Sequence, residues 1–304
     1  MDQFGSRLWW NWQLDTDFYH HWSEFRTFCE ERGIKLLAYL NPYLANTGRN
    51  ELFVEAQKQG LLLMQSSNSS SSSSSPLIQS SGSDNFTFGT VDLGSTKGRQ
   101  WFVDQIMVKN LLQQGFSGWM SDFGEYIPLF DVAASPSRQV NDDDDDDDDD
   151  KVTNSSSKEN GNNDDEDEDE DEHEDENSQI GLQLHNAFPG LWSATNAQLR
   201  TTVDHLLSID NDNHNVTETT SDAKRLSLSH LSSGSDVLYF ARSASVQSLS
   251  SASVFWAGDQ LTSWDEFDGL QSCLRAYLSG GFSGMSLMSS DIGGYTMQRC
   301  VLMR

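Results

Sequence analysis

The chain has 304 residues, a formal net charge of −28 and a mean hydropathy of −0.57, which is low for one globular domain. The charge is concentrated in residues 141–176, where 22 Asp and Glu residues face two lysines and account for −20 of the total. Outside the polar stretches about 200 residues remain, rich in Trp, Phe, Leu and Gly, which is enough for a sizeable hydrophobic core. A fully disordered chain is therefore excluded, and so is a basic nucleic-acid binder, because 47 acidic residues outnumber 19 basic ones.

Three low-complexity segments interrupt the chain, at 66–84, 134–178 and 208–232. The first is rich in serine, the second is dominated by Asp and Glu, and the third is polar without sustained periodicity. Such compositions cannot bury enough apolar surface to offset the entropy lost on ordering, so we predict three disordered surface insertions. The acidic run can attract divalent cations or basic proteins, but a solvated, self-repelling loop is the simpler interpretation.

Helical and strand patterns alternate between these insertions. A helix with an aromatic face precedes Gly33, and an apolar, β-rich run over 34–43 follows it. The same succession recurs along the chain, which is typical of a parallel α/β architecture. The predicted strands are 34–43, 87–93, 117–123, 236–242, 253–259 and 283–291, and the further predicted helices are 97–115, 181–206 and 264–278, the last closed by Gly280 and Gly281.

The residues that end the strands indicate which parallel architecture this is. No strand is followed by a glycine-rich phosphate-binding turn, which removes the usual support for a nucleotide-binding open sheet. In a (β/α)8 TIM barrel the carboxyl ends of the strands converge on one mouth, where the catalytic groups lie. We therefore predict a TIM barrel, although each strand-end residue alone is also a common helix cap or turn residue. These residues are Asn41, Asp92, Asp122, Arg242, Asp259 and Asp291.

Two of these aspartates, Asp122 and Asp259, follow strands that contain tryptophan. Cleavage of a glycosidic bond needs two carboxyl groups, one to attack or stabilise the anomeric carbon and one to give a proton to the leaving oxygen. Trp119, Trp256 and Tyr126 offer flat apolar faces to the C–H groups of a sugar. The alternative is that the tryptophans simply pack the interior of the barrel.

Several longer motifs narrow this prediction. They are GSRLWWNW (5–12), AYLNPYLA (38–45), GWMSDFGEY (118–126), HNAFPGLW (185–192), FWAGDQ (255–260) and SSDIGGYT (289–296). Together they resemble glycoside hydrolase family 31, and most closely its sulfoquinovosidase branch, a set of retaining α-glycosidases. The resemblance covers essentially the whole chain outside the three polar segments, in the family's order. It implies a TIM-barrel domain that hydrolyses O-glycosyl bonds in carbohydrate metabolism.

The resemblance also implies roles for particular residues. Asp122 takes the position of the nucleophile at the end of the fourth barrel strand, and Asp259 that of the general acid/base at the end of the sixth. Glu125 supports the site by hydrogen bonding, and Arg242 lines the sugar pocket. The implied mechanism is double displacement without a metal or organic cofactor. It requires Asp259 to have the higher pKa of the two aspartates, which a partly apolar setting beside Trp256 can provide.

The specificity of the site is implied by three further residues. In the sulfoquinovosidase branch, the sulfonate of the sugar is cradled by an Arg and a Trp spaced like Arg7 and Trp10, together with the Tyr of the SSDIGGYT motif, here Tyr295. Asp291 of the same motif is a further expected substrate-binding residue. A guanidinium suits a sulfonate because its planar donors bind two oxygens at once. The alternatives are that Arg7 is an ordinary exposed cation and that the substrate is an ordinary α-glucoside.

The chain also departs from the family. The first strand of the family's barrel, with a substrate-contacting Gln, is expected before Met1, and the eighth strand, with a site His, is expected beyond Arg304. We therefore predict a partial barrel, about strands 2 to 7, of a longer or truncated protein. Six of eight strands would leave two sheet edges exposed. The competing hypothesis is a catalytically inactive truncated barrel whose acidic loop makes it an interaction protein.

The remaining expectations concern partners and environment. The expected partner is a small carbohydrate, possibly sulfonated, with no nucleic acid and no membrane, and the oligomeric state is left open. No run approaches the roughly 18 apolar residues of a membrane span, and the chain begins without a cationic and apolar leader, so we expect a cytoplasmic location by default. Cys29, Cys273 and Cys300 are expected to be free thiols, because they have neither metal-ligand spacing nor an even number.

Overall fold

The computed structural model describes residues 10–47, 50–66, 75–81, 86–139, 169–209 and 228–296, which form two compact units. Unit 1 comprises Met1–Tyr43, Gln100–Tyr126 and Ala187–Arg304, and unit 2 comprises Leu44–Arg99 and Ile127–Asn186. The helices are α1 (Trp22–Glu31), α2 (Glu51–Lys58), α3 (Thr96–Trp101), α4 (Pro136–Gln139), α5 (Asp169–Ser208) and α6 (Leu270–Phe282), with a π-helical continuation of α3 at Phe102–Leu111. The strands are β1 (Leu36–Leu40), β2 (Tyr43–Ala45), β3 (Met64–Gln65), β4 (Ile78–Ser81), β5 (Phe86–Thr90), β6 (Phe116–Ser121), β7 (Val132–Ala133), β8 (Leu238–Ala241), β9 (Val254–Trp256) and β10 (Met288–Ser289).

Unit 1 is built on a five-stranded parallel sheet with the order β1-β6-β8-β9-β10. Its strands follow one another in the sheet in the same order as in the chain, which is the arrangement of barrel strands. The prediction of a parallel α/β architecture is confirmed. Five of the six predicted strands belong to this sheet, and each carboxyl end lies within three residues of its predicted end.

Close packing joins the strands of unit 1 to one another and to helix α5. On β6, Gly118 approaches β8 so closely that a Cβ atom would lie 1.8 Å from the carbonyl oxygen of Leu238. The neighbouring Trp119 is fully buried, and its indole N–H donates to Oδ1 of Asn196 on α5 at 2.7 Å. Trp192, also on α5, packs edge-on against Phe102. The helix predicted over 181–206 is confirmed as part of α5.

Unit 2 is built differently, from short strands rather than a parallel sheet. β2, β5 and β4 form a three-stranded sheet in that order, with β4 antiparallel to β5, while β3 and β7 form an antiparallel pair. Helix α2 begins after Asn50, whose side chain accepts a hydrogen bond from the backbone N–H of Phe53. The predicted strand 87–93 was wrong as a barrel strand. This segment forms β5, which pairs antiparallel with β4, and β4 lies in the predicted serine-rich insertion.

The predicted insertions are too wide at their edges. β4 lies within 66–84, the short helix α4 lies within 134–178, and α5 begins at Asp169, twelve residues before its predicted start. Near the end of the third segment, Leu228 and Leu231 are buried. A count of polar residues overlooks the backbone pairing of β4 with β5 and the buried side chains of Leu228 and Leu231. Residues 67–74, 82–84, 140–168 and 210–227 of the three segments lie outside the described residues.

The last helix also differs from its prediction. α6 spans Leu270–Phe282 rather than 264–278, because Asp265 accepts hydrogen bonds from the N–H groups of Phe267 and Asp268 in a turn that delays the helix. The helix runs through Gly280 and Gly281 and ends one residue later. Cys29 and Cys273 are buried free thiols, as predicted, and Cys300 lies outside the described residues. None of the helices in the described part of the chain is long and apolar enough to span a membrane.

Candidate active site

A charged cluster lies at the carboxyl ends of the parallel strands of unit 1. Asp122 follows β6, Arg242 follows β8 and Asp259 follows β9. Backbone hydrogen bonds extend the sheet to this level, since the N–H of Asp122 donates to Leu40 and that of Arg242 donates to Ser121. The strands therefore deliver these three side chains to one edge, as the TIM-barrel prediction required.

Asp122 is almost fully buried, at 6% exposure, and both of its carboxylate oxygens are engaged. Oδ1 accepts the backbone N–H of Phe123 at 2.9 Å and lies 2.9 Å from Nη1 of Arg242. Oδ2 accepts the hydroxyl of Tyr39 at 2.5 Å. Three donors, one of them cationic, compensate the loss of hydration of this carboxylate.

The backbone after Asp122 is held in a strained conformation. Phe123 has φ of 57°, in the left-handed region that non-glycine residues rarely adopt. Hydrogen bonds fix the peptide groups before and after Phe123. Trp192 donates to the carbonyl of Asp122 at 3.2 Å, and Ser243 donates to the carbonyl of Phe123 at 2.7 Å. Strain of this kind costs about 1–3 kcal/mol and persists where surrounding contacts over-determine it, most often at functional sites.

Arg242 connects the three carboxylates of the cluster. Its side chain is only 11% exposed, with Nη1 2.9 Å from Asp122 and 3.9 Å from Asp259, and Nη2 2.6 Å from Oε1 of Glu125. The guanidinium also lies 4.3 Å from the ring centroid of Phe123. Among the described residues of this cluster, one cation therefore faces three carboxyl groups, so negative charge is in excess there.

Asp259 is more exposed than Asp122, with 42% of its side chain accessible. Partial burial raises its pKa above the ordinary value, and the carboxylates of Asp122 and Asp291 raise it further, while Arg242 acts in the opposite direction. A raised pKa keeps the carboxyl protonated to higher pH, which is the property a general acid needs. The opposite environments of the two aspartates suit opposite chemical roles.

The oxygens of Asp122 and Asp259 are close enough for cooperative chemistry. Both lie near the same guanidinium nitrogen, so they are separated by at most about 7 Å. This limit includes the roughly 5–5.5 Å separation typical of retaining glycosidases. The pair is open on the side of Asp259, where a leaving group would need its proton.

Gln260 joins Asp259 to the segment after β10. Its side chain is buried, its Nε2 donates to the carbonyl of Asp291, and its own carbonyl accepts the N–H groups of Tyr295 and Thr296. Oδ2 of Asp291 and Oε1 of Gln260 are buried and have no hydrogen-bond partner in the described structure. Asp291 and Tyr295 therefore stand beside the acid/base candidate, and the ring of Tyr295 is 62% exposed.

The aromatic residues divide into site and core. Trp10 is buried against Tyr43 and Phe123, with ring centroids 5.4 and 5.7 Å apart, so it borders the residue that follows Asp122. Trp256 is nearly buried, and its ring centroid lies 6.0 Å from Cζ of Arg242. Tyr126, 59% exposed, lies 5.7 Å from the same atom.

Two sequence predictions of site residues need correction. Trp119 is not a pocket residue, because its side chain has no exposure and its indole N–H is bound to Asn196. Asp92 does not end a strand of the parallel sheet. It lies in unit 2, where Oδ1 accepts the backbone N–H of Gly94, as in an ordinary turn, and Oδ2 accepts the backbone N–H of Ser135, 43 residues along the chain. Arg7 lies outside the described residues.

Sequence reasoning missed Tyr39 and gave Asn41 no role beyond ending a strand. The side chain of Asn41 donates to the Tyr39 hydroxyl at 3.2 Å and accepts the N–H of Tyr43 at 3.0 Å. The two residues are spaced by two, which places them on one face of β1. That alternation was the available signal. Gln260 was missed for a different reason, because its role depends on backbone contacts.

Comparisons with known proteins identify the family of the chain. The family model of the glycosyl hydrolases family 31 TIM-barrel domain matches residues 1–304. The chain is 27% identical over 302 residues to a sulfoquinovosidase of Escherichia coli, covering 97% of this chain and 32% of that protein. It is 26% identical over 293 residues to a sulfoquinovosidase of Agrobacterium fabrum, covering 96% and 32%. The chain thus spans about a third of the length of the curated relatives it matches.

A solved structure gives the same result. A family 31 sulfoquinovosidase from E. rectale, in complex with an aza-sugar inhibitor, is similar with a TM-score of 0.61 and 26% identity, covering 98% of this chain and 33% of that one. The parallel sheet and the polar cluster at its carboxyl ends define the TIM-barrel class of fold. Within that class, the chain belongs to glycosyl hydrolases family 31, and its matched region is the TIM-barrel domain of that family.

Proposed function

We propose that this chain carries the catalytic centre of a retaining α-glycosidase, with Asp122 as nucleophile and Asp259 as general acid/base. The observation that carries the proposal is the pair of carboxylates at neighbouring strand ends, held near one guanidinium nitrogen. Membership of family 31 supplies the reaction class. Asp122, which is buried and held by three donors, suits a nucleophile of fixed orientation, and the partly exposed Asp259, with its raised pKa, suits a proton donor.

The reaction is a double displacement. An oxygen of Asp122 forms a bond to the anomeric carbon, the bond to the aglycone oxygen breaks, and that oxygen takes the proton of Asp259. A water molecule then gives a proton to Asp259 and attacks the anomeric carbon, and the ester electron pair returns to Asp122. The Arg242 guanidinium binds the Asp122 carboxylate, and Glu125 binds Arg242 and so keeps the guanidinium in position during both steps.

We propose a sulfoquinovoside as the substrate. Two curated relatives and one solved structure that match nearly the whole chain carry that activity in their names. Two of the three residues expected to cradle a sulfonate lie beside the candidate catalytic pair, since Trp10 packs on Phe123 and the N–H of Tyr295 binds Gln260. The excess negative charge around Arg242 repels an anionic sugar, so a further cation is needed, and Arg7 is the residue we assign to that task.

Hydrolysis of two matched substrates tests the proposal. The chain is incubated with 4-nitrophenyl α-sulfoquinovoside and 4-nitrophenyl α-glucoside, and proton NMR identifies the first anomer released. We expect hydrolysis of the sulfonated substrate with release of the α-anomer. Preference for the glucoside would overturn the sulfonate assignment, release of the β-anomer would overturn the nucleophile, and hydrolysis of neither would favour the inactive interaction protein.

The contribution of Arg7 is tested with two variants. Arg7→Lys keeps the charge but loses the planar donor pair, and Arg7→Gln loses the charge. We expect Arg7→Gln to raise KM for the sulfonated substrate by about 10- to 100-fold, with a smaller rise for Arg7→Lys, because charge-assisted hydrogen bonds contribute about 1.5–3 kcal/mol. Equal effects on the glucoside would show that Arg7 does not read the sulfonate.

A further inference from the structure

The nucleophile candidate has one partner whose role is unassigned. Tyr39 lies on β1, the strand next to β6, and its hydroxyl donates to Oδ2 of Asp122 at 2.5 Å. The other carboxylate oxygen already has two donors, Phe123 N–H and Arg242. Tyr39 is therefore the only described donor to Oδ2, and it determines where that oxygen points.

Two further contacts hold Tyr39, which is 40% exposed. The Asn41 side chain donates to its hydroxyl at 3.2 Å, and the indole of Trp12 stacks on its ring at a centroid distance of 6.3 Å. Asn41 itself is fully buried and fixed by the N–H of Tyr43. Because the hydroxyl accepts from Asn41, its single proton is directed to Asp122.

The hydroxyl remains a neutral donor. Burial raises its pKa well above the ordinary value, and the charge of Asp122 together with the hydrogen bond to that carboxylate raises it further. Tyr39 therefore keeps its proton over the whole range in which a glycosidase works. It cannot itself be the acid or base of the reaction, which leaves a role that acts through Asp122.

We propose that Tyr39 is a positioning residue that orients the Asp122 carboxylate and stabilises it as the leaving group when the glycosyl-enzyme intermediate breaks down. The proposal rests on the proposed function of Asp122. When the ester forms, the charge on Asp122 disappears and the hydrogen bond from Tyr39 weakens. When water attacks the anomeric carbon, the electron pair of the breaking ester bond returns to Asp122, and the bond strengthens again. The donor therefore assists the second step and opposes the first.

We expect Tyr39→Phe to slow the breakdown of the glycosyl-enzyme intermediate without slowing its formation. kcat falls by about 10-fold or more, because breakdown of the intermediate becomes rate-limiting, while kcat/KM does not fall, because it reports the first step, which the donor opposes. A substrate with an activated phenol then shows a burst of product equal to the enzyme concentration. In addition, the acidic limb of the kcat/KM profile moves to higher pH by about one unit, because the ionised carboxylate has lost a donor.

Tyr239→Phe is the matched control. Tyr239 lies on β8 of the same sheet, is fully buried, and donates its hydroxyl to the carbonyl of Ser251, without contact to Asp122. The change removes a hydrogen bond between β8 and the segment before β9, and leaves the donors of Asp122 in place. We expect this variant to lower thermal stability while the pH profile and the ratio of the two steps stay unchanged.

A second variant keeps the shape of the side chain. Replacing Tyr39 by 3,5-difluorotyrosine strengthens the phenol as a donor, so the acidic limb should move to lower pH, opposite to Tyr39→Phe. This measurement remains informative if Tyr39→Phe fails to fold.

The other charged groups facing Asp122 also need to be tested. They are Arg242 after β8, Asp259 after β9 and Glu125, which is bound to Arg242. Glu125→Gln tests whether Glu125 is responsible for the acidic limb of the kcat/KM profile. We expect the limb to persist in this variant. Loss of the limb in Glu125→Gln would overturn the assignment to Asp122.

Two distinct failures are separable in this design. If wild-type protein releases a product of inverted configuration, the proposed function fails. If wild type retains configuration but Tyr39→Phe and Tyr239→Phe give the same pH profile and no burst, the role of Tyr39 fails while the proposed function stands.

Discussion

Units 1 and 2 each bury an aspartate after a strand, and the two carboxylates have different partners. Asp92, in unit 2, has no exposure and accepts backbone N–H groups from nearby turns. Asp122, in unit 1, has 6% exposure and is bound by one backbone N–H, a phenol and a guanidinium. Burial alone therefore does not set the proposed nucleophile apart. Two of the donors to Asp122 are side chains from other strands, Tyr39 on β1 and Arg242 after β8.

The largest expected effect is that of Asp122→Asn. An amide cannot form the ester intermediate, so we expect turnover to fall by more than about 10⁴-fold while substrate affinity stays within a few-fold. Rates are measured with 4-nitrophenyl α-sulfoquinovoside and affinity by calorimetry. Turnover within 10-fold of wild type would remove Asp122 from the mechanism.

Asp259→Ala should have the second largest effect. We expect a loss of about 10²- to 10⁴-fold with poor leaving groups, because the aglycone oxygen no longer receives a proton. A dinitrophenyl leaving group needs no proton, so its departure should be almost unaffected, and added azide should restore turnover by attacking the intermediate. An equal loss with both leaving groups would contradict the acid role.

Asp92→Asn is the corresponding change in unit 2. One acceptor oxygen of Asp92 becomes a donor that faces an N–H group, so we expect the free energy of unfolding to fall by about 1–3 kcal/mol. Turnover of the folded fraction should stay close to wild type. Urea denaturation measures the first quantity, and a selective loss of kcat would show that the two aspartates are not as different as their contacts indicate.

The smallest expected effect concerns pH. The raised pKa of Asp259 keeps this acid protonated as pH rises, so its deprotonation sets the basic limb of the kcat/KM profile. Asp291 contributes to that rise, and Asp291→Asn should therefore move the basic limb to lower pH. The plateau can also fall through lost substrate contacts, so the position of the limb is the diagnostic quantity. A shift to higher pH would contradict this electrostatic account.

Sequence patterns predicted the parallel sheet because its strands are apolar runs that end in polar residues. They did not predict that 87–93 would pair antiparallel. The direction of a strand depends on its partner, and β4 is hidden in a serine-rich segment. Composition cannot reveal such a partner, because backbone hydrogen bonds do not depend on side-chain type.

The sequence indicates only some residues of the candidate site, because contacts with distant partners cannot be read from it. Strand ends indicated Asp122, Arg242 and Asp259, since position along a strand can be read from the sequence. Which face a residue occupies is decided by distant partners. Trp119 faces Asn196, 77 residues away, and Tyr39 faces Asp122, 83 residues away. A sugar-binding Trp and a core Trp therefore look alike in the sequence, and Tyr39 resembles any aromatic strand residue.

The most direct test is to trap the intermediate. The protein is incubated with a 5-fluoro-α-glycosyl fluoride that carries a sulfonate at C6, which forms the ester quickly and releases it slowly. Peptide mass spectrometry then locates the label. We predict one sugar per chain, attached to Asp122, and no label in Asp122→Asn. A label on Asp259 or Glu125, or inactivation without any covalent adduct, would contradict the assignment of the nucleophile.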